Sequence, residues 1–196
     1  MNVLVRLATG VKSTPFLDRI SKSKHTVEMT NLYSTHRCSP SRAAFLTGVY
    51  PYRYGMGADA LKVNHMPLGM DSKLTLFPEI LRREGNYSTH MVGKWHLGHA
   101  SPDQLPHNRG FDTFYGFYEA EVNYFTHMMR DGQFLRDENG PVDKQGKYLT
   151  NDLGDMAARL LKTNSTLSDK PKFLYLPFQA PHAPISALEH VKKEFM

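Results

Sequence analysis

The sequence predicts an α/β layer fold, in which helices pack on the faces of a sheet. Short apolar runs that suit buried strands alternate along the chain with segments of helical periodicity. With 40% hydrophobic and 22% charged residues, the composition is that of a globular protein. A length of 196 residues is enough for one domain with a sizeable core.

Helix start and stop signals predict a helix over residues 13–20 and a second over 74–84. The first has Ser13 or Thr14 as its cap and Pro15 at its first position. A third helix is predicted over 150–163, where apolar residues recur with helical spacing. Its predicted core stripe consists of Leu153, Met156, Ala157, Leu160 and Leu161.

Three apolar runs predict strands: 27–33, 90–92 and 172–179. Ligands of open α/β sheets bind beyond the carboxyl ends of the strands. Lys94 and His96 follow the second run, two residues apart, so on an extended segment they point to the same side. His182 follows the third run. The alternative readings are a solvated surface charge for Lys94 and structural roles for both histidines.

The only cysteine, Cys38, lies in a segment that predicts a short helix. Ser39 is the expected N-cap, Pro40 suits the first turn and Gly48 suits the end. A helix N-terminus favours negative charge, and Arg42 lies one turn further on the same face. The segment therefore predicts an oxyanion-binding site that contains a candidate nucleophile, although a lone cysteine is more often a small buried apolar residue.

The run Cys38-x-Pro40-Ser41-Arg42, followed by Ala-Ala-Phe-Leu-Thr-Gly, resembles the first signature of the sulfatase family. In that family the cysteine is oxidised to formylglycine, whose hydrate attacks the sulfur of a sulfate ester. The run Gly-Lys-Trp-His-Leu-Gly over residues 93–98 resembles the second signature. Residues 109–117 are similar to the arylsulfatase B-like members, and we interpret their aromatic residues as packing.

The resemblance implies the alkaline-phosphatase-like sulfatase fold, a mixed sheet with helices on both faces. It implies a sulfuric ester hydrolase that cleaves aryl sulfates or sulfated carbohydrates, with formylglycine made from Cys38 by the formylglycine-generating enzyme. By resemblance, Arg42, Lys94 and His182 contact the sulfate, with His182 near the leaving oxygen. His96 hydrogen-bonds the hydrated aldehyde and helps to remove its proton.

Sulfatases also require a divalent cation, usually calcium, which takes about six to eight oxygen ligands. Formylglycine 38 would be one ligand, and the family supplies the others from an Asp-Asp pair and an Asp-Asn pair. Neither pair occurs in this sequence. The resemblance therefore predicts that residues 1–196 are a partial catalytic domain, truncated at both ends, with little turnover of its own and with apolar sheet edges left open.

The net charge of +5 favours an anionic partner, and the sequence has no Lys/Arg-rich run that would indicate nucleic acid. No apolar stretch is long enough for a membrane span or a signal peptide. The resemblance nevertheless implies a lysosomal or secreted glycoprotein. Of the two sequons, Asn164 is the better acceptor, because we interpret Asn86 as a left-handed turn residue.

Two other functions remain open. The first is a catalytically inactive, truncated relative that binds sulfated glycans or a protein through the same basic cleft. The second is a phosphodiesterase or phosphonate hydrolase of the same superfamily, against which the Lys94-Trp95-His96 context favours sulfate.

Overall fold

The computed structural model describes residues 14–57, 68–129, 132–133, 135–162 and 170–195. The chain divides into two compact units, Met1–Ser34 and Thr35–Met196. Every candidate site residue of the described chain belongs to the second unit.

The first unit contains helix α1, and all other elements belong to the second. The helices are α1 (Pro15–Ser21), α2 (Cys38–Thr47), α3 (Phe77–Arg83), α4 (Leu149–Lys162) and α5 (Glu189–Phe195). The strands are β1 (Ser88–Lys94), β2 (Thr113–Phe117), β3 (Met128–Met129), β4 (Gly132–Gln133), β5 (Arg136–Asp137), β6 (Gly140–Pro141) and β7 (Lys172–Tyr175). Short 3₁₀ helices cover Pro51–Tyr54, Pro102–Gln104 and Pro106–Asn108.

The main sheet is mixed, with the strand order β6-β5-β2-β1-β7. β1 is parallel to both of its neighbours, whereas β5 and β6 are antiparallel additions beside β2. Lys94 is paired in register with Phe117, and Met91 with Tyr175. The carboxyl ends of β1, β2 and β7 therefore lie at one edge of the sheet. Among the described strands β7 pairs with β1 only, and it forms one edge of this sheet.

Helices pack on both faces of this sheet, as predicted, because side chains alternate along β1. Met91 belongs to a core cluster that includes Ala43 and Leu46 of α2, whereas its neighbour Val92 belongs to a second cluster with Leu149 and Leu153 of α4. The predicted packing role of the aromatic residues in 109–117 is confirmed, since all four are buried: Phe111, Phe114, Tyr115 and Phe117.

The three predicted helices form with small changes in their bounds. α1 begins at the predicted Pro15. α3 begins at Phe77, later than predicted, with Leu76 as its N-cap and Pro78 inside its first turn. α4 covers the predicted segment as far as Lys162, and Thr163 lies outside the described residues. The helix buries Leu153 and Ala157, but Leu161 is exposed and does not belong to the core stripe.

Two strand predictions were wrong in whole or in part. Residues 27–33 form no strand but a turn flanked by irregular chain, because no described strand pairs with them. An apolar run forms a strand only where a neighbour satisfies its backbone groups. The run 172–179 forms a strand only to Tyr175, since Pro177 lacks the N–H that would continue the ladder. The predicted strand 90–92 is confirmed and extended by β1.

Candidate active site

Cys38 is the first residue of α2 and is only partly buried. The N-cap is Arg37, not the predicted Ser39, which lies inside the helix and is fully buried. Ser41 braces the chain at this end, because its hydroxyl donates to the Thr35 carbonyl at 2.6 Å. Gly48 ends the helix with a left-handed φ of 69°, as predicted. The sulfur is therefore held at a helix N-terminus.

Arg42 connects α2 to two strands of the sheet. Its Nη1 donates to the backbone carbonyl of Lys94 at 2.7 Å and to the hydroxyl of Tyr175 at 3.5 Å. These contacts fix the guanidinium beside the end of β1. Arg42 therefore has a structural role in addition to the anion-binding role predicted for it.

Two glycines give the end of β1 its path. Gly93 has a φ of 129°, and a Cβ there would lie 2.3 Å from the carbonyl oxygen of Pro177. A Cβ on its register partner Gly116 would lie even closer to a neighbour, only 1.9 Å from the Gly93 carbonyl oxygen. Only glycine fits at either position. The tight passage allows the Lys94 backbone N–H to donate to the Pro177 oxygen at 3.0 Å, which fixes Lys94 beside Cys38.

Lys94 is almost fully buried, with 2% of its surface exposed. Burial and the positive charge of Arg42 lower its pKa to about 8, although the charge of Cys38 and a hydrogen bond to it act in the opposite direction. The Lys94 side chain thus has both Cys38 and Arg42 as close neighbours, as the sequence predicted. Two cations close together and shielded from water create a strong local preference for an anion.

His96 departs from the geometry assumed for it. Its φ of 59° is left-handed, so the chain is not extended from Lys94 to His96, and the argument that both point to the same side does not apply. Between them Trp95 is 1% exposed, and its Nε1 donates to the carbonyls of Gly98 and Gln104, both at 3.0 Å. The anchored indole fixes the loop that carries His96, which is itself 5% exposed.

His182 lies beyond β7, at the same edge of the sheet as Lys94. Its Nδ1 is 2.9 Å from Oε2 of Glu121 and 2.6 Å from the carbonyl oxygen of Ala183. The hydroxyl of Tyr124 donates to the His182 carbonyl at 2.9 Å. The predicted loop position is thus confirmed, and the ring has an acidic neighbour that the sequence did not predict.

Glu121 and Tyr175 were both missed in the sequence. Glu121 follows β2, and since β2 is parallel to β1, the rule that placed Lys94 at the carboxyl edge applies to Glu121 as well. The signal was present, but the path of the loop after Phe117 could not be inferred. Tyr175 was assigned to a strand without chemistry. Burial raises the pKa of its hydroxyl, and Arg42 acts in the opposite direction.

Comparisons with known proteins agree with this geometry. The sulfatase family model matches residues 7–195. The chain belongs to the sulfatase family. It is 36% identical to mouse arylsulfatase J, over 89% of this chain and 29% of that protein. It is 33% identical to rat N-acetylgalactosamine-6-sulfatase, over 90% of this chain and 36% of that protein. This sulfatase chain thus spans about a third of the length of these relatives.

Solved structures confirm the fold. The crystal structure of Ps i-CgsB in complex with k-i-k-neocarrahexaose is 30% identical, with a TM-score of 0.72 over 81% of this chain and 38% of that one. The PsFucS1 sulfatase from Pseudoalteromonas sp. shares the fold at 24% identity, with a TM-score of 0.65. The sulfatase described here therefore has the predicted alkaline-phosphatase-like fold, of which it contains a part.

The described residues of this sulfatase chain do not fit a calcium site. No group of three or more His, Cys, Asp or Glu side chains among them could hold a metal ion. Cys38 has the positively charged Arg42 and Lys94 as neighbours, a setting that repels a cation. No catalytic step is therefore assigned to a metal.

Two further predictions concern glycosylation and membranes. Asn86 has a φ of 54°, which confirms the predicted left-handed turn. Asn164 lies outside the described residues. None of the helices in the described ranges is both long and apolar enough to cross a membrane.

Proposed function

We propose that this chain is a part of the catalytic domain of a sulfuric ester hydrolase of the arylsulfatase type, spanning residues 1–196. The observation that carries the proposal is the placement of two cations at the start of the helix that begins at Cys38. Lys94 is 2% exposed, and Nη1 of Arg42 lies 2.7 Å from the Lys94 carbonyl oxygen. Two shielded cations at a helix N-terminus suit a sulfate group, because such fixed charges stabilise the negative charge that develops in the transition state.

Cys38, oxidised to formylglycine and hydrated, supplies the hydroxyl that attacks the sulfur of the ester. Arg42 and Lys94 neutralise the sulfate oxygens, and His182 is placed towards the leaving oxygen. His96 accepts the proton of the second hydroxyl. The oxygen left behind re-forms the C=O bond of the aldehyde, and the C–O bond to the sulfate breaks, which expels the sulfate. A plain thiol would leave a thiosulfate with no equivalent route of release, which is why the modification is part of the proposal.

The substrate class that we propose is a sulfated carbohydrate or an aryl sulfate ester. The names of the relatives support it, since they include an arylsulfatase and an N-acetylgalactosamine-6-sulfatase. A solved neighbour at 30% identity was crystallised with k-i-k-neocarrahexaose. We further propose modification by the formylglycine-generating enzyme, a lysosomal or secreted location, and glycosylation at Asn164.

The decisive experiment is the mass of the peptide that contains Cys38, taken from the natural source. We expect a residue lighter than cysteine by roughly the mass of one water molecule, which identifies formylglycine. An unmodified thiol in every preparation would overturn the catalytic proposal. A Cys38→Ala variant produced in the same cells is the control, because its peptide carries no such change.

The second candidate function is a non-catalytic one: binding of sulfated glycans or of a protein through the same cations. The same two cations, Arg42 and Lys94, favour it, because fixed positive charge binds a sulfate group with or without catalysis. The two functions differ in one measurement. A binding protein retains its affinity for sulfated glycans in the Cys38→Ala variant and hydrolyses none of them in either form.

A further inference from the structure

Glu121 is an acidic residue in a region of positive charge. Its Oε2 lies 2.9 Å from Nδ1 of His182, with about a third of each side chain exposed. Burial and Arg42 lower the pKa of Lys94, whereas Cys38 and Glu121 oppose them, so Glu121 also lies within electrostatic range of the sulfate-binding group. The Glu121 carboxylate weakens the attraction of this region for an anion, so its role is sought in its contact with His182 and not in sulfate binding.

The pair formed by Glu121 and His182 is built into the backbone on both sides. Gln179, which is 4% exposed, accepts a hydrogen bond from the Val122 N–H at 2.8 Å and donates one to the Val122 carbonyl at 2.7 Å. The backbone carbonyl of Gln179 accepts a hydrogen bond from the backbone N–H of His182 at 2.9 Å. Gln179 therefore fixes the loop of Glu121 through its side-chain amide and the loop of His182 through its backbone carbonyl, whereas an ordinary surface ion pair must order two free side chains.

The contacts of the imidazole assign its proton positions. Nδ1 faces two oxygen acceptors, the Glu121 carboxylate at 2.9 Å and the Ala183 carbonyl at 2.6 Å, so Nδ1 carries a proton. When the ring is protonated on both nitrogens, the Nδ1 proton is held by these oxygens. The Nε2 proton is then the one that can be transferred.

We propose that Glu121 is a positioning residue that holds the His182 ring with Nε2 directed towards the leaving oxygen of the sulfate ester. The inference rests on the proposed function. As the S–O bond breaks, its electron pair moves to the leaving oxygen, and the Nε2 proton moves to the same oxygen to give the free alcohol. The ring remains neutral, with its Nδ1–H still donated to Glu121.

The pairing is tested first, by proton NMR of the ¹⁵N-histidine-labelled chain at low temperature. An imidazole N–H donated to a carboxylate resonates far downfield, and His182→Gln assigns the signal by removing it. We expect Glu121→Gln to shift this signal upfield, because an amide oxygen is a weaker acceptor than a carboxylate. The exposed Glu138 provides the matched control, Glu138→Gln, which leaves the signal in place. No downfield signal, or one unmoved by Glu121→Gln, overturns the proposal.

The role in proton transfer is tested by the leaving group, in the formylglycine-bearing protein. For a sugar sulfate, whose alcohol needs a proton to leave, Glu121→Gln lowers kcat by about 100-fold. For 4-nitrophenyl sulfate, whose leaving group departs as an anion, the loss is less than about threefold. Equal losses for both esters would show a merely structural role. If the unsubstituted protein hydrolyses neither ester, residues 1–196 lack turnover of their own, as the sequence predicts, and the proton-transfer role is overturned for this chain. The NMR result then decides the pairing by itself.

Discussion

Two lysines of this chain lie in opposite electrostatic settings. Lys94, at the carboxyl edge of the sheet, is 2% exposed, and burial and Arg42 lower its pKa to about 8. The side chain of Lys147, before α4, is 41% exposed and forms ion pairs with Asp152 at 2.8 Å and Asp155 at 3.1 Å. Hydrogen bonds to these carboxylates raise the pKa of Lys147.

The comparison indicates that the charge of Lys147 stabilises the fold, whereas the charge of Lys94 is available to a ligand. The positive charge of Lys147 is compensated within the protein, and the partner Asp152 is fully buried and also accepts a hydrogen bond from Tyr115. Lys94 forms no ion pair with a carboxylate of the described chain, so folding brings its charge out of water at a cost. A bound anion would offset that cost, which is the physical argument for a sulfate site at this edge.

The largest expected effect on stability is at Asp152, the buried ion-pair partner of Lys147. Asp152→Ala removes the acceptor of both Lys147 and the buried Tyr115 hydroxyl. Because Lys147 is partly exposed, the main cost is the unpaired hydroxyl, and we expect the free energy of unfolding to fall by about 1–3 kcal/mol. Urea unfolding at pH 7 measures it. Asp155→Ala is the matched control, because its side chain is 65% exposed and the loss should stay below about 1 kcal/mol. Similar losses in both variants would remove the distinction between the two lysines.

The next effect sharpens the contrast at Lys94. We expect Lys94→Met to weaken the binding of inorganic sulfate by about 10- to 100-fold, since a charged hydrogen bond is worth about 1.5–3 kcal/mol. The same change should leave stability at pH 7 equal or higher, because an uncompensated buried charge is removed. Lys147→Met reverses this pattern: sulfate affinity is unchanged and stability falls. Calorimetry with sodium sulfate and urea unfolding measure the two quantities, and identical patterns would contradict the assignment.

The sequence predicted the elements that carry the proposed site residues better than it predicted the geometry of their side chains. The short helix at Cys38, the strand before the Lys94 turn and the loop of His182 were each predicted, with some changes in their bounds, from local signals: proline, glycine and a short apolar run. These signals are sufficient because the edge of a parallel sheet is fixed by strand direction alone. The left-handed turn at Asn86 was also predictable from a local signal, because Asn is one of the few residue types that readily adopt this backbone conformation.

What could not be predicted depends on partners distant in sequence. The segment 27–33 has the composition of a strand, but a strand needs a neighbour, and none of the described strands pairs with it. His96 leaves the extended conformation because its loop is anchored by Trp95 to Gly98 and Gln104, a contact that no local pattern encodes. Glu121 and His182 are 61 positions apart in the sequence, and Gln179 holds their two loops together through hydrogen bonds to Val122 and His182. Contacts of this kind exist only after folding.

A smaller effect follows from the pKa of Lys94, which lies at about 8 in the folded chain and at 10.5 in its ordinary state. Between these values the unfolded chain binds more protons than the folded chain, so stability rises with pH. We expect an increase of at most about 1.4 kcal/mol per pH unit from pH 8 to 10.5. Urea unfolding across this window measures it, with Lys94→Met as the comparison. If the variant keeps the full slope, Lys94 is not its source.

The smallest effect belongs to the structural side and lies in the acid range. His127 is fully buried, and burial lowers its pKa below the ordinary 6.5, although a contact with the Lys147 backbone and the charges of Asp152 and Asp143 partly oppose this. Below pH 6.5 the unfolded chain therefore binds more protons, and stability falls as the pH falls. His127→Asn tolerates the left-handed φ of 55° and does not titrate, so we expect the loss of stability between pH 6.5 and 5 to become smaller. Urea midpoints at several pH values measure this difference. An unchanged acid slope would assign the acid sensitivity to other groups.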